Sequence, residues 1–324
     1  MRLLIDTDPG IDDALALLVA LSSPGVSVEA ITAAAGNVPV DQAVRNIFQI
    51  LHVVRPIPMP KTARGMAAPL KRALLTAGHV HGDDGLGNLD RFAEVDGTPR
   101  YPALPHGLET RDGPDLILEM ADRLGDELVV VALGPLTNLA VAVERGPAKL
   151  RRVRRIVIMG GAVAAPGNIT PGAEYNFYVD PEAAAAVFEA GLPLELVPLD
   201  VTRQVVLRQS ELGARLQRCP SRIAQFVADF TLHGFAFGAE RGDGGIALHD
   251  PLAAAVALDP SLVGYEALHV EVECEGRITR GMSIADRRPL RSGPTRPANC
   301  RVAMSVDAPR FLDLFLDRLC PASV

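Results

Sequence analysis

A chain of 324 residues, 48% of them hydrophobic, is long enough for one large α/β domain or two smaller ones. Its formal net charge of −7 at pH 7 argues against a nucleic-acid partner, whose phosphates demand a basic surface. No apolar run approaches the ~20 uncharged residues that a membrane-spanning helix requires.

The apolar run at 2–7 predicts a first strand entered directly from the N-terminus, which leaves no room for a signal peptide. Further strands are expected at 28–35, 128–133, 155–159 and 194–198, and helices at 11–22, 39–54, 112–125, 135–145, 181–190 and 209–218. Short apolar strands alternating with helices imply a single α/β domain over 1–324, with a mostly parallel, Rossmann-like central sheet flanked by helices. Residues 55–106, rich in Pro, Gly and charge, depart from this rhythm and read as an irregular functional loop. Residues 219–249 are helical in pattern and hold four of the ten Phe residues. The runs 267–273, 281–285 and 300–305 suggest a small antiparallel addition before a closing helix at 308–319. With 4% aromatic residues and no Trp, Ala, Val and Leu must build the core. The cysteines at 219, 274, 300 and 320 show no metal-ligand pairing and fit reduced thiols of a cytoplasmic protein.

Chemistry concentrates at the expected carboxyl ends of the strands, where α/β sheets bind ligands. Residues 6–13 read Asp-Thr-Asp-Pro-Gly-Ile-Asp-Asp, a strand, a tight turn and a helix start carrying four carboxylates. Lys and Arg are absent from residues 3–44, so a bound divalent cation is the economical way to offset those charges. Asp12 and Asp13 are neighbours in a first helical turn and point ~100° apart, so they can serve different partners. Far downstream, His249-Asp250-Pro251 is equally a helix start with Asp250 as cap and a second acidic contribution to a site; capping leaves His249 unexplained. In Asn168-Ile169-Thr170-Pro171-Gly172-Ala173-Glu174-Tyr175-Asn176, an extended chain would present Glu174 and Asn176 to one side, a set suited to sugar hydroxyls, although Asn and Gly also serve ordinary turns. The backbone carbonyl of Leu133, at a strand end, is a candidate ligand for a hard cation. Carboxylates with a carbonyl and waters favour calcium over magnesium, and nothing has the clustered His/Cys pattern of zinc.

Together these segments resemble the inosine–uridine preferring nucleoside hydrolase family. The resemblance runs from residue 3 to about 258, through the acidic octapeptide, Gly36-Asn37, His81-Gly82-Asp83-Asp84-Gly85-Leu86, Gly134-Pro135-Leu136-Thr137-Asn138, Met159-Gly160-Gly161, Gly167-Asn168, Glu174-Tyr175-Asn176 and His249-Asp250-Pro251, in that order. It implies hydrolysis of the N-glycosidic bond of a small-molecule ribonucleoside. Asp8, Asp13, Asp250 and the Leu133 carbonyl would hold calcium, with Asp8 as general base on a calcium-bound water. Asp12, Asn37, Asn168, Glu174, Tyr175, Asn176 and Asp250 would line the ribose, and Met159 would pack beside it. His81, Phe230 and His249 would face the base, with His249 helping it depart. The absence of Trp argues against the purine-specific members that stack the base between tryptophans, and so for a pyrimidine-preferring or broad inosine–uridine enzyme. Membership further implies a homo-oligomer, a dimer or tetramer.

Two other readings compete. A haloacid-dehalogenase-type magnesium phosphatase also begins with Asp-x-Asp after a first strand and would use Asp6 as nucleophile. A non-catalytic ribonucleoside-binding protein would keep the pocket without turnover.

Overall fold

Alternation along the strands decides the layering. In β1 (Arg2–Thr7), Leu3 and Ile5 enter one core and Leu4 the other. In β4 (Leu128–Ala132), Val129 and Val131 part in the same way from Leu128, Val130 and Ala132. Side chains of a strand alternate between faces, so a strand apolar on both faces must be covered on both. The computed structural model describes residues 1–103, 107–288 and 296–320.

The remaining strands are β2 (Ser27–Ala33), β3 (Lys61–Arg64), β5 (Arg155–Met159), β6 (Leu194–Val197), β7 (Val206–Leu207), β8 (Ile246–Ala247), β9 (Val263–Leu268), β10 (Val270–Val272), β11 (Ser283–Ala285) and β12 (Cys300–Val306). Eight form one sheet in the order β3-β2-β1-β4-β5-β6-β12-β9, while β10–β11 and β7–β8 are separate pairs. β1 pairs in parallel with both β2 and β4, so the chain reverses its direction of travel across the sheet there. That reversal opens a crevice at the carboxyl ends of the strands.

Helices Ile11–Leu21 and His249–Leu258 pack against each other on one face. Both helices are rich in buried alanine, Ala14, Ala16 and Ala20 on one and Ala253, Ala254 and Ala257 on the other, and small side chains let helix axes approach closely. This packing matters for function, because it brings two helix starts distant in sequence to one place.

The sheet, the flanking helices and the antiparallel β10–β11 addition agree with the sequence reading. Three details differ. The region 55–106 is not wholly irregular: β3 adds an edge strand parallel to β2, and Gly78–His81 form a short helix. β12 joins the main sheet parallel to β6 and antiparallel to β9, so it extends the central sheet. Cys219 and Cys320 form a disulfide with Cα atoms 6.0 Å apart, which corrects the expectation of four reduced thiols; Cys274 and Cys300 are free. The two residues end helices Gln209–Arg218 and Ala308–Leu319, which an Arg215–Asp317 ion pair also joins, and spacing along the chain cannot reveal that meeting. Among the described residues, no helix is long and apolar enough to cross a membrane.

Candidate active site

The acidic turn is assembled from its backbone. Asp13, in the first turn of helix Ile11–Leu21, reaches back to cap it: its Oδ2 accepts from Gly10 N at 3.0 Å and Asn37 Nδ2 at 3.0 Å. Its Oδ1 accepts from Thr7 Oγ1 at 2.5 Å and Asp8 N at 3.3 Å. Asp8 accepts from Asn37 N at 2.6 Å through Oδ2, while its Oδ1 is buried without a hydrogen-bond partner. Glycines make room for this carboxylate. A Cβ on Gly36 would stand 2.1 Å from Asp8 Oδ2, and one on Gly134 would stand 2.3 Å from Oδ1. Behind it, Asp6 accepts from Thr32 Oγ1 at 2.5 Å and Asn138 Nδ2 at 2.7 Å.

Asp250 enters from the other helix. That helix starts at His249, with Leu248 before it, and Asp250 does not cap it. Its carboxylate is instead turned toward those of Asp12 and Asp13. Oxygens of Asp12, Asp13 and Asp250 lie within 4.8 Å of one another, and Asp12 Oδ1 is a second buried oxygen without a partner. The tightest set thus contains Asp12 where the sequence reading put Asp8. Asp8 adjoins it through Asp13, and its free Oδ1 remains available.

Such crowding raises the pKa of Asp6, Asp8, Asp12 and Asp250 alike. Burial, then the charge of Asp13, raises Asp8 well above the usual carboxylate range. The same two causes bring Asp12 to about 7. Burial, followed by the charges of Asp12 and Asp13, raises Asp250, and burial alone brings Asp6 to about 6. These carboxylates resist joint ionisation unless positive charge joins them. Two helix N-termini, at Ile11 and His249, supply part of it through their dipoles. Oxygen-only donors, two of them unsatisfied, suit a hard divalent cation.

Asp12 and Asp250 line a cavity of about 480 Å³, with Asp8 and Asp13 buried behind them, and its size suits a small organic ligand. One wall comes from the strand ends and the 168–176 segment: Asn37, Leu133, Met159, Asn168, Glu174, Tyr175 and Asn176. Glu174 and Asn176 are not on an extended segment as expected. Glu174 caps the short helix Tyr175–Val179, accepting from Asn176 N at 2.8 Å, Phe177 N at 3.1 Å and Gly161 N at 2.9 Å. Burial nevertheless raises its pKa. Asn176 Nδ2 donates to the Leu133 carbonyl at 2.7 Å, which leaves that oxygen a second lone pair. Asn168 Oδ1 accepts from Tyr175 N at 2.8 Å, and Tyr175 OH donates to Leu75 O at 2.6 Å, tying this wall to the 55–106 region.

The opposite wall carries His79, His81, Phe237, Arg241 and His249. His81 Nδ1 accepts from Ile11 N at 3.1 Å, which places its ring proton on Nε2. Burial lowers both His81 and His249 to about 4, with the Arg203 charge contributing at His249. Phe230 is a correction to the expected site. It is 0% exposed, packs edge-on against Phe226 at 4.9 Å and takes no part in the cavity wall. On helix Arg222–Arg241 the cavity is lined by Gly234, Phe237, Gly238 and Arg241, one to three turns beyond Phe230, whose own turn is covered by the loop at Gly87.

Sequence reasoning passed over Thr7 and Thr202. Thr202 Oγ1 lies 2.7 Å from His249 Nδ1, yet Leu199-Asp200-Val201-Thr202 bears no motif that marks it. Asp6, the nucleophile of the phosphatase reading, has its Oδ1 held by Thr32 and Asn138 and stands apart from the Asp12–Asp13–Asp250 set, which that reading leaves without a role.

A Rossmann-like sheet with an acidic, cation-suited cleft at its reversal point, walled by amides and imidazoles, defines an α/β protein with a site for a small polar ligand. The inosine-uridine preferring nucleoside hydrolase family matches residues 3–313, and the chain belongs to that family. Its members' reaction, hydrolysis of the N-glycosidic bond of ribonucleosides, is its reaction. The pyrimidine-specific ribonucleoside hydrolase RihA of Escherichia coli O9:H4 is 37% identical over 321 residues, 98% of each chain. RihA of Shewanella sp. MR-7 is 35% identical over 321 residues, 98% of this chain and 95% of its own. The purine-preferring ribonucleoside hydrolase of Gardnerella vaginalis superposes with a TM-score of 0.88 at 34% identity, covering 98% of both chains.

Proposed function

We propose that the protein is a calcium-dependent ribonucleoside hydrolase in which Asp8 is the general base and His249 assists the leaving base, with pyrimidine-preferring or broad inosine–uridine selectivity. The observation that carries this reading is the cluster of Asp8, Asp12, Asp13 and Asp250, with Asp8 Oδ1 and Asp12 Oδ1 unsatisfied at the foot of a nucleoside-sized cavity. Asp8, Asp13, Asp250 and the Leu133 carbonyl would hold the calcium, with Asp12 beside them. When bound, the ion lowers the pKa of a water and orients it.

The chain's own groups do the rest. Asp8 takes a proton from the attacking water as its oxygen bonds to the anomeric carbon. Asp12, Asn37, Asn168, Glu174 and Asn176 bind the ribose hydroxyls and hold the sugar against that water, and such orientation accounts for a large part of the rate in reactions of this kind. Met159 packs beside the sugar. The N-glycosidic bond breaks through an oxocarbenium-like ribosyl centre, as in other glycoside hydrolysis, and the His81–His249 wall receives the base. Phe237 takes the base-contact role first expected of Phe230.

Base preference rests on two observations. No Trp is present to sandwich a purine, and the curated relatives named above are pyrimidine-specific. Assembly as a dimer or tetramer belongs to the same proposal and is read by light scattering. A kinetic panel of uridine, cytidine, inosine, adenosine and guanosine, run after chelation and after calcium is restored, tests the whole. Activity that survives exhaustive chelation would remove the cation, and a preference for adenosine or guanosine would overturn the stated selectivity.

A further inference from the structure

His249 reaches the cavity with one ring nitrogen, and the other is held from behind. Thr202 Oγ1 lies 2.7 Å from His249 Nδ1, and Thr202 is 0% exposed. Thr202 ends the short helix Leu199–Thr202 that follows β6. Its place is firmly set. Leu199 N donates to Gly161 O at 3.0 Å, and Leu248 N donates to Val205 O at 2.9 Å, joining the segments that carry the two side chains. The next residue, Arg203, donates to Pro166 O at 2.7 Å and Gly167 O at 2.6 Å, which ties the helix end to the loop bearing Asn168.

Hydrogen-bond accounting decides which atom donates. Among the described residues the Thr202 hydroxyl has no partner besides His249. Were Nδ1–H the donor, the hydroxyl hydrogen would be stranded in a fully buried place, which folded proteins avoid. With the hydroxyl donating, Nδ1 is the acceptor and a neutral ring carries its hydrogen on Nε2. The same arrangement holds at His81, where the donor is the backbone N–H of Ile11. Only the Thr202 contact can be changed by a side-chain substitution.

We infer that Thr202 is a positioning residue that fixes His249 as the Nε2–H tautomer, so that the cavity meets the departing base with a hydrogen-bond donor. The inference rests on the leaving-group role given to His249 above. The step balances without proton transfer from the ring. The water oxygen bonds to the anomeric carbon, its proton passes to Asp8, and the C–N bond breaks with its electron pair going to the base. That pair is stabilised by the Nε2–H hydrogen bond until solvent protonates the free base. A neutral imidazole that gave up its only hydrogen would become imidazolate, so the tautomer acts as donor and not as acid.

The test compares Thr202→Val, Thr202→Ser and His249→Ala on uridine, inosine and 4-nitrophenyl riboside, whose leaving group needs no assistance. Thr202→Val should lose about tenfold in kcat on the nucleosides and stay within about twofold on the aryl riboside, with Thr202→Ser restoring most of the loss, because only the hydroxyl sets the tautomer. Imidazole ¹⁵N shifts of the wild-type protein give a readout independent of turnover: His249 Nδ1 should be pyridine-like and Nε2 pyrrole-like, and Thr202→Val should average them. A pyrrole-like Nδ1 in the wild type overturns the inference even if Thr202→Val fails to fold. Should His249→Ala be selective for poor leaving groups while Thr202→Val is not, the inference falls and the role of His249 stands. Equal losses on all substrates for His249→Ala sink both.

Discussion

Asp8→Asn separates the two duties of that carboxylate and can be worked from its surroundings. Asn37 N donates to Asp8 Oδ2 at 2.6 Å, so the carbonyl oxygen of an asparagine must occupy that position. The new NH2 is then forced to the place of Oδ1, the buried oxygen that has no partner. There it presents hydrogens where a cation needs a lone pair, and flipping the amide only sets its NH2 against the Asn37 N–H. The variant loses the base and weakens the metal together. Removing a general base alone typically costs 10²–10⁴-fold, and kcat should fall by about 10³-fold or more. Stability should move the other way in chelator, since one of several mutually repelling buried acids has become neutral. Calcium at about 1,000 times its dissociation constant stabilises wild type by ~4.1 kcal/mol, and a ~100-fold weaker site leaves ~1.4 kcal/mol. At roughly 2 °C per kcal/mol for a domain of this size, the calcium-induced rise in Tm should shrink from about 8 °C to about 3 °C. Scanning calorimetry with and without calcium, beside uridine hydrolysis, measures both effects. A folded Asp8→Asn protein with near-wild-type kcat, or with an undiminished calcium shift, would refute the reasoning.

Other perturbations follow from the same geometry. Gly134→Ala places a Cβ against Asp8 Oδ1 and should abolish calcium stabilisation while the circular dichroism spectrum stays native; a normal calcium shift would show that the carboxylate is not held there. Phe230→Ala should destabilise by about 3–5 kcal/mol, because it empties a fully buried site, yet leave kcat/KM of the folded fraction within about twofold. Phe237→Ala should do the reverse, raising KM for nucleosides severalfold with little change in Tm, since it lines the cavity and is only partly buried. Cys320→Ser should lower stability by about 2–4 kcal/mol by opening a linkage that spans 101 positions, and reductant should reproduce that loss in the wild type but not in the variant.

What could be read from the sequence divides along a physical line. The layered sheet was legible because apolar runs and helical periodicity are local signals, and the crevice at the strand ends follows from any parallel sheet with a reversal. The acidic octapeptide was legible because its members are adjacent and no nearby cation explains them. Asp250 was ambiguous for the opposite reason. Asp-Pro at a helix start satisfies capping rules unaided, and only the packing of helices Ile11–Leu21 and His249–Leu258 shows that its carboxylate joins Asp12 and Asp13 instead. Phe230 and Phe237 differ by seven positions on one helix, and which of them faces the cavity depends on what covers each, so composition alone chose wrongly. β3 was hidden because Lys61-Thr62-Ala63-Arg64 has too little apolar character to announce an edge strand without its partner.

Thr202 marks the deepest limit of such reading and says something about how the site works. Its 47-residue separation from His249 and its unremarkable neighbours give no local cue. The same is true of the backbone N–H that holds His81. In both cases the group facing the cavity is an imidazole, and the group that decides what the imidazole can do stands behind it, on an element placed by the sheet. The carboxylate side follows the same plan: Asn37 and Thr7 orient Asp8 and Asp13, and glycines leave space for them. Groups held in this way are aimed before the substrate arrives, and preorganised dipoles of this kind contribute most where water is excluded. Residues such as Thr202, rather than the acids themselves, are therefore where conservative substitutions should change rate without changing binding.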